Sequence, residues 1–87
     1  MKRQLLLAFG VIQFLGQRKK RDREMLFRVI GRMCESPDGY SAFEEYDEEW
    51  NRLVDVHLVG EYAISFWDDF ADRHLKVMRL RWADGDR

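Results

Sequence analysis

The sequence contains a single cysteine, Cys34, and therefore cannot form an internal disulfide. A fold that does not depend on oxidation is typical of a cytoplasmic protein, and we expect that location. The sequence also lacks a long apolar run. The longest, from Leu5 to Leu15, is interrupted by Gln13 and is much shorter than the roughly 20 residues that span a bilayer. We therefore expect no membrane segment.

Motifs typical of catalysis or cofactor binding are missing as well. There is no glycine-rich phosphate loop, and no serine, cysteine or histidine stands in a recognisable nucleophile pattern. The only histidines, His57 and His74, each have a carboxylate nearby but lack the convergent set that a metal needs. Asp68 and Asp69 form a pair of adjacent carboxylates that solvation explains more simply than acid–base chemistry. We predict a non-enzymatic protein with no catalytic, cofactor-binding or metal-binding residues.

What the sequence does contain is a generous supply of core-forming side chains. Of 87 residues, 46% are hydrophobic and 14% aromatic, which is too rich for a disordered chain. The length predicts one small domain spanning residues 1–87, near the size at which a partner subunit often adds stability.

Charge is unevenly distributed along the chain, although the net charge is only −1. Residues 1–34 carry nine Lys and Arg against two acids, residues 35–72 carry one base against twelve acids, and residues 73–87 carry five bases against two acids. Such a chain either has oppositely charged faces or folds so that the blocks neutralise one another.

The first two segments read as helices. Residues 5–15 are apolar on all sides, which predicts a helix that is buried or pairs with another chain, although Gly10 leaves a strand open. We expect homo-oligomer formation through this segment. Asp22 is the predicted N-cap of the next helix, which carries an amphipathic stripe of Met25, Leu26, Val29, Ile30 and Met33. Cys34 ends that helix in a packing role.

A third helix is predicted between Ser41 and Gly60. Ser41 and Glu44 have the spacing of a capping box, and Gly60 would end the helix. The apolar residues recur at helical spacing at Phe43, Tyr46, Trp50, Leu53, Val54 and His57.

Residues 62–82 fit two structures. Tyr62, Ile64 and Phe66 alternate as in a strand, and a second alternating run from Leu75 to Trp82 shows a phase slip suited to a β-bulge. A single long helix also fits the spacing. We favour a hairpin because β-branched and aromatic residues crowd the first run.

The predicted order of three helices and a C-terminal β-hairpin resembles a winged helix. NRLVDVHLVGEY is similar to the end of a recognition helix running into a wing, and DFADRHLKVMRLRW is similar to the wing hairpin of small bacterial regulators. The expected fold is therefore α+β and winged-helix-like, with an all-α bundle ending in a long helix as the alternative.

The acidic third helix argues against DNA reading, because phosphates would repel it. We therefore predict a small macromolecular-binding or regulatory protein, of the kind encoded by phages and mobile elements, that engages a protein partner. Its predicted contact residues are Glu44, Glu45, Asp47, Glu48, Glu49, Trp50 and Arg52.

The alternative is a winged-helix-like, DNA-binding transcriptional regulator. Its phosphate contacts would come from the basic cluster RKKRDR and the helix after it, together with the basic hairpin at residues 73–81. The possible nucleic-acid-binding residues are Arg18, Lys19, Lys20, Arg21, Arg28 and Arg32.

Overall fold

The computed structural model describes residues 2–85 and contains two helices and a five-stranded mixed sheet. In chain order the elements are β1 (Gln4–Leu7), α1 (Phe9–Gly16), α2 (Lys20–Glu35), β2 (Phe43–Asp47), β3 (Arg52–Val59), β4 (Tyr62–Asp69) and β5 (His74–Trp82).

The sheet has the strand order β1-β5-β4-β3-β2. Strand β1 is parallel to β5, and the other neighbours are antiparallel. Gly60 has a φ of 55° in the two-residue turn between β3 and β4, a left-handed conformation that glycine adopts without steric cost. Ser65 pairs with Arg79 and Phe66 with Val77, so Met78 is the extra residue of a β-bulge.

Both helices pack on one face of the sheet. In α2 the fully buried side chains Leu26, Ile30 and Met33 recur at helical spacing and face Ile64 and Phe66 of β4. Fully burying such a side chain contributes about 1.5–3 kcal/mol relative to leaving it exposed. The stripe predicted from the sequence is therefore the core stripe of α2.

The opposite face of the sheet, called here the open face, carries no helix. Val54, Val56, Ala63 and Ser65 are at most 2% exposed, yet they alternate with the residues that face the helices. Charged side chains cover them instead. This second apolar layer is small, and it fixes β3 against β4 from the side that the helices do not reach.

The winged-helix-like fold and the all-α alternative are both wrong. Phe43, Tyr46, Trp50 and Leu53, the residues that suggested a third helix, are 42–55% exposed, and the segment forms β2 and β3. The residues that decide its structure are the alternating Val54 and Val56, which are buried as β-branched strand residues usually are. Ser41 Oγ donates to the Phe43 carbonyl instead of capping a helix.

Three other predicted segments can be compared with the structure. Residues 5–15 are divided between the end of β1 and most of α1, which is consistent with the strand that Gly10 left open. The predicted hairpin over residues 62–82 is present as β4 and β5, with its bulge at the phase slip. In α2 the N-cap is Lys19, and Asp22 lies in the first turn.

Candidate functional site

Ion pairs connect the two sides of the open face. Arg79 of β5 lies 3.1 Å from Asp47 of β2, and Arg81 lies 2.7 Å from Glu45. In a flat sheet, β2 and β5 would be about 14 Å apart, since neighbouring strands are about 4.8 Å apart. The arginine side chains of β5 therefore reach across β4 and β3, over the open face, to the carboxylates of β2.

The same face holds a cation–aromatic cluster. The Arg52 guanidinium lies 3.3 Å and the Lys76 ammonium 4.6 Å from the centre of the Trp67 ring, within the range of cation–π attraction. Lys76 also lies 2.7 Å from Asp69, and its hydrogen bond holds the pKa of the Asp69 carboxyl below the usual value. Asp68, the other adjacent carboxylate, pairs with Arg3 at 2.7 Å.

The predicted acidic contact residues are thus divided into two groups. Glu45, Asp47 and Glu49 pair with Arg79 or Arg81. Glu44 and Glu48 are exposed, and neither forms a salt bridge within residues 2–85. The acidic and C-terminal basic blocks neutralise each other on the open face, which is the second of the two arrangements that the charge pattern allowed.

A cleft opens beside the ion pairs, where the turn between β2 and β3 approaches α1. Strand β1 ends at Leu7, opposite Val77, so beyond that point the edge of β5 faces α1 and the turn. The volume of this α1–turn cleft is about 440 Å³. Its lining residues are Ala8, Phe9, Gly10, Phe14, Glu49, Trp50, Met78, Arg79 and Leu80.

Large apolar side chains stand exposed at the cleft. Phe9 is 72% and Trp50 is 42% exposed, and Ile12, one turn further along α1, is 51% exposed. Met78 is 8% exposed, and the β-bulge directs it into the cleft wall. Aromatic residues, Met and Arg are enriched at protein interfaces. Sequence reasoning named Trp50 and Glu49 as protein contacts and Arg79 only as part of the basic hairpin at 73–81; it missed Met78, although the phase slip there was a visible signal.

The basic residues predicted to bind nucleic acid lie in different surroundings. Arg18 is held over the rings of Phe14 and Trp82, at 4.3 and 4.7 Å. Lys20 lies 3.9 Å from Glu24. The remaining residues are exposed; they are Lys19, Arg21, Arg28 and Arg32.

The histidines and the cysteine occupy separate places. His57 is on β3, where its Nδ1 lies 3.0 Å from the Tyr40 carbonyl oxygen, so the predicted helical position is wrong. His74 begins β5. Cys34 is 3% exposed in the core, and burial raises the pKa of its thiol. Within residues 2–85 no three metal-binding side chains of the His, Cys, Asp or Glu type converge, and no helix has the length and apolar character to cross a membrane.

Comparison with known proteins gives one informative result. No family model and no curated protein sequence matches the chain. The fold is similar to a chain in the crystal structure of the toxin–antitoxin complex RelBE2 from Mycobacterium tuberculosis, with a TM-score of 0.75. The similarity covers 94% of this chain and 99% of that chain, at 10% sequence identity.

At this level of identity the likeness establishes the fold. The two chains share an α+β architecture over nearly their whole lengths. The similar chain was solved as a component of a toxin–antitoxin complex. The comparison gives no support to a winged helix, to DNA binding or to an origin on a mobile element.

Proposed function

We propose that this chain is one subunit of a two-protein regulatory complex of the toxin–antitoxin kind, and that its partner chain docks in the α1–turn cleft. The observation that carries the proposal is the exposure of Phe9 and Trp50 on either side of a preformed cleft. The fold is consistent with it, since the similar solved chain belongs to a toxin–antitoxin complex.

The cleft has the chemistry of a protein-binding hot spot. Its walls are aromatic and its inner side contains Met78, while the Glu49–Arg79 ion pair at 3.1 Å provides a polar border. An apolar side chain of the partner would displace water from Phe9 and Trp50, the pattern that concentrates binding energy in a few residues.

The charges near the cleft indicate which kind of partner segment would bind there. Glu48 is exposed beside Glu49 and Trp50, and its carboxylate has no salt bridge within residues 2–85. Glu44 is exposed on the same hairpin. The partner segment that complements this surface carries an apolar anchor next to basic residues. The proposal therefore keeps the predicted role of the acidic segment in binding a protein. Glu44 and Glu48 are the members of that segment whose carboxylates have no salt bridge within residues 2–85.

The test begins with affinity capture, followed by binding measurements with the purified partner. Phe9→Ala and Trp50→Ala should each raise the Kd by about 10- to 100-fold, as expected for interface hot spots. Phe70→Ala is the matched control, because Phe70 is 75% exposed but lies on the turn between β4 and β5, outside the cleft. Glu48→Lys should weaken binding and reduce its salt dependence.

Two results would contradict the proposal. One is a stoichiometric partner whose affinity is unchanged by the Phe9→Ala, Trp50→Ala double variant. The other is the absence of any stoichiometric protein partner for the wild-type chain. The predicted lack of enzymatic activity is a separate question, and it stays a prediction.

We also propose that the isolated chain self-associates through the exposed apolar residues of the segment at 5–15. Leu6, Phe9 and Ile12 are 48%, 72% and 51% exposed, so these three side chains remain outside the core that buries Val11 and Leu15 of the same segment. Since Phe9 also lines the cleft, self-association and partner binding would exclude each other.

A further inference from the structure

We infer that α2 binds the phosphodiester backbone of a nucleic-acid duplex through three arginines, Arg21, Arg28 and Arg32. These three residues are called the α2 ridge. The inference does not depend on the proposed protein partner, because the ridge shares no residue with the α1–turn cleft.

Helix geometry aligns the three arginines. At about 100° per residue they fall within roughly 40° of one another, and they span about 16 Å along the axis. The buried residues Leu26, Ile30 and Met33 point to the opposite side of α2. Each arginine of the α2 ridge is exposed, and the row projects away from the core.

The ridge arginines differ from four basic side chains on and beside the sheet. Arg3, Lys76, Arg79 and Arg81 all form salt bridges with acids of the segment at 45–69. Within residues 2–85, by contrast, none of the three ridge arginines has a salt bridge. The acidic segment thus neutralises these four cations and does not neutralise the ridge.

The acids of α2 form no salt bridge with the ridge arginines within residues 2–85. Glu24 stands four residues before Arg28, but its salt bridge, at 3.9 Å, is with Lys20, and Asp22 accepts a hydrogen bond of 2.6 Å from the Tyr62 hydroxyl. Glu35 is exposed at the C-terminal end of α2, three residues beyond Arg32. Lys19 is exposed at the N-terminal end and extends the positive surface there.

The shape of the ridge favours a duplex over a single strand. Proteins that bind single strands combine a basic groove with aromatic platforms on which bases stack. The ridge is convex and contains only arginines, and the nearby Trp82 ring is covered by Arg18 and Tyr62. Regularly spaced cations without stacking surfaces suit contacts to phosphates, which fix position without reading sequence.

The experiment is fluorescence anisotropy of a labelled 20-base-pair DNA duplex at several salt concentrations. Three phosphate contacts predict a slope of log K against log salt of about −2.7, or about 40-fold weaker binding at 200 mM than at 50 mM salt. The Arg21→Gln, Arg28→Gln, Arg32→Gln triple variant should lose most of this slope. Circular dichroism should show an unchanged fold, since exposed glutamine is compatible with a helix.

A matched pair of single variants removes the same charge on and off the ridge: Arg28→Gln and Arg73→Gln. Arg73 is exposed in the turn between β4 and β5 and has no salt bridge within residues 2–85, so Arg73→Gln should bind the duplex within about two-fold of wild type while Arg28→Gln binds more weakly and with a smaller salt slope. Equal losses in the two single variants would mean that net charge alone attracts the duplex, and would overturn the inference. Absence of wild-type binding at 50 mM salt, or a preference for an unlabelled single strand as competitor, would overturn it as well.

Discussion

Asp47 is the residue that ties the β2–β3 turn to the rest of the sheet. Its side chain is 5% exposed and pairs with Arg79, and it accepts a hydrogen bond of 3.2 Å from the Trp50 backbone N–H. One carboxylate therefore joins β2 to β5 across the open face and also binds the loop that carries Trp50. Since Trp50 and Arg79 both line the α1–turn cleft, this single buried side chain helps to fix the shape of the cleft.

Asp47→Ala should lower the free energy of unfolding by about 1–2 kcal/mol, because Arg79 is part-exposed and water can replace some of the lost interaction. Glu49→Gln is the internal comparison. Glu49 pairs with the same arginine but is 66% exposed, so its loss should cost less than about 0.5 kcal/mol. Urea unfolding measures both, and equal costs would show that burial of Asp47 does not matter.

The Asp69–Lys76 pair predicts an acid-dependent contribution to stability. The hydrogen bond from Lys76 lowers the pKa of Asp69 in the folded protein. A lowered folded-state pKa stabilises the fold above the pKa of the unfolded state, and this stability is lost as pH falls through the folded-state value. Lys76→Gln should therefore narrow the difference in stability between pH 7 and pH 3. If the stability difference between pH 7 and pH 3 is as large in Lys76→Gln as in wild type, Lys76 does not cause the lowered pKa of Asp69.

At the scale of elements, replacing glycine by alanine is expected to have opposite effects on stability at two positions, because the backbone conformations differ. Gly31 lies in α2, and Gly60 has a φ of 55° in the β3–β4 turn; at neither would an added methyl group meet another atom within 4 Å. Gly31→Ala should stabilise by about 0.5–1 kcal/mol through helix propensity. Gly60→Ala should destabilise by about 1–2 kcal/mol through backbone strain. Thermal unfolding of both variants checks the signs, and effects of the same sign would contradict the assigned conformations.

The sequence predicts elements well where one periodicity dominates. In α2 every residue of the apolar stripe lies at helical spacing, and the hairpin of β4 and β5 follows the alternation of Tyr62, Ile64 and Phe66. The bulge was visible as a phase slip because Val77 and Met78 are both apolar. Such elements bury their whole apolar face, so the pattern records the packing directly.

The helix predicted over the segment at 43–59 was wrong because most of the residues in its helical series are not buried. Phe43, Tyr46, Trp50 and Leu53 are exposed, whereas the buried Val54 and Val56 alternate as in a strand. The pairing of Glu45 with Arg81 and of Asp47 with Arg79 joins residues that are 36 and 32 positions apart. Local periodicity carries no information about such contacts, so the candidate cleft could not be assembled from the sequence.

At the scale of the whole molecule, the fold is compact with a large apolar surplus on its surface. The Cα radius of gyration is 12.1 Å, close to the roughly 12 Å expected for a folded domain of this length. The core is therefore formed within one chain, and the exposed Leu6, Phe9 and Ile12 are not needed for it. Exposed apolar side chains of this size, such as Phe9 and Ile12 one turn apart on α1, are typical of a surface that another chain covers.

Self-association is the property of the whole molecule that this surplus predicts. Sedimentation equilibrium of the purified chain should show an average mass that rises above that of the monomer as concentration increases. Ile12→Glu should keep the chain monomeric, because a charge one helical turn from Phe9 would have to be desolvated on association. Phe27→Glu is the control, since Phe27 is 45% exposed but lies on α2, outside the segment at 5–15. A wild-type chain that stays monomeric at every concentration would contradict self-association, and Phe9 would then act only in the α1–turn cleft.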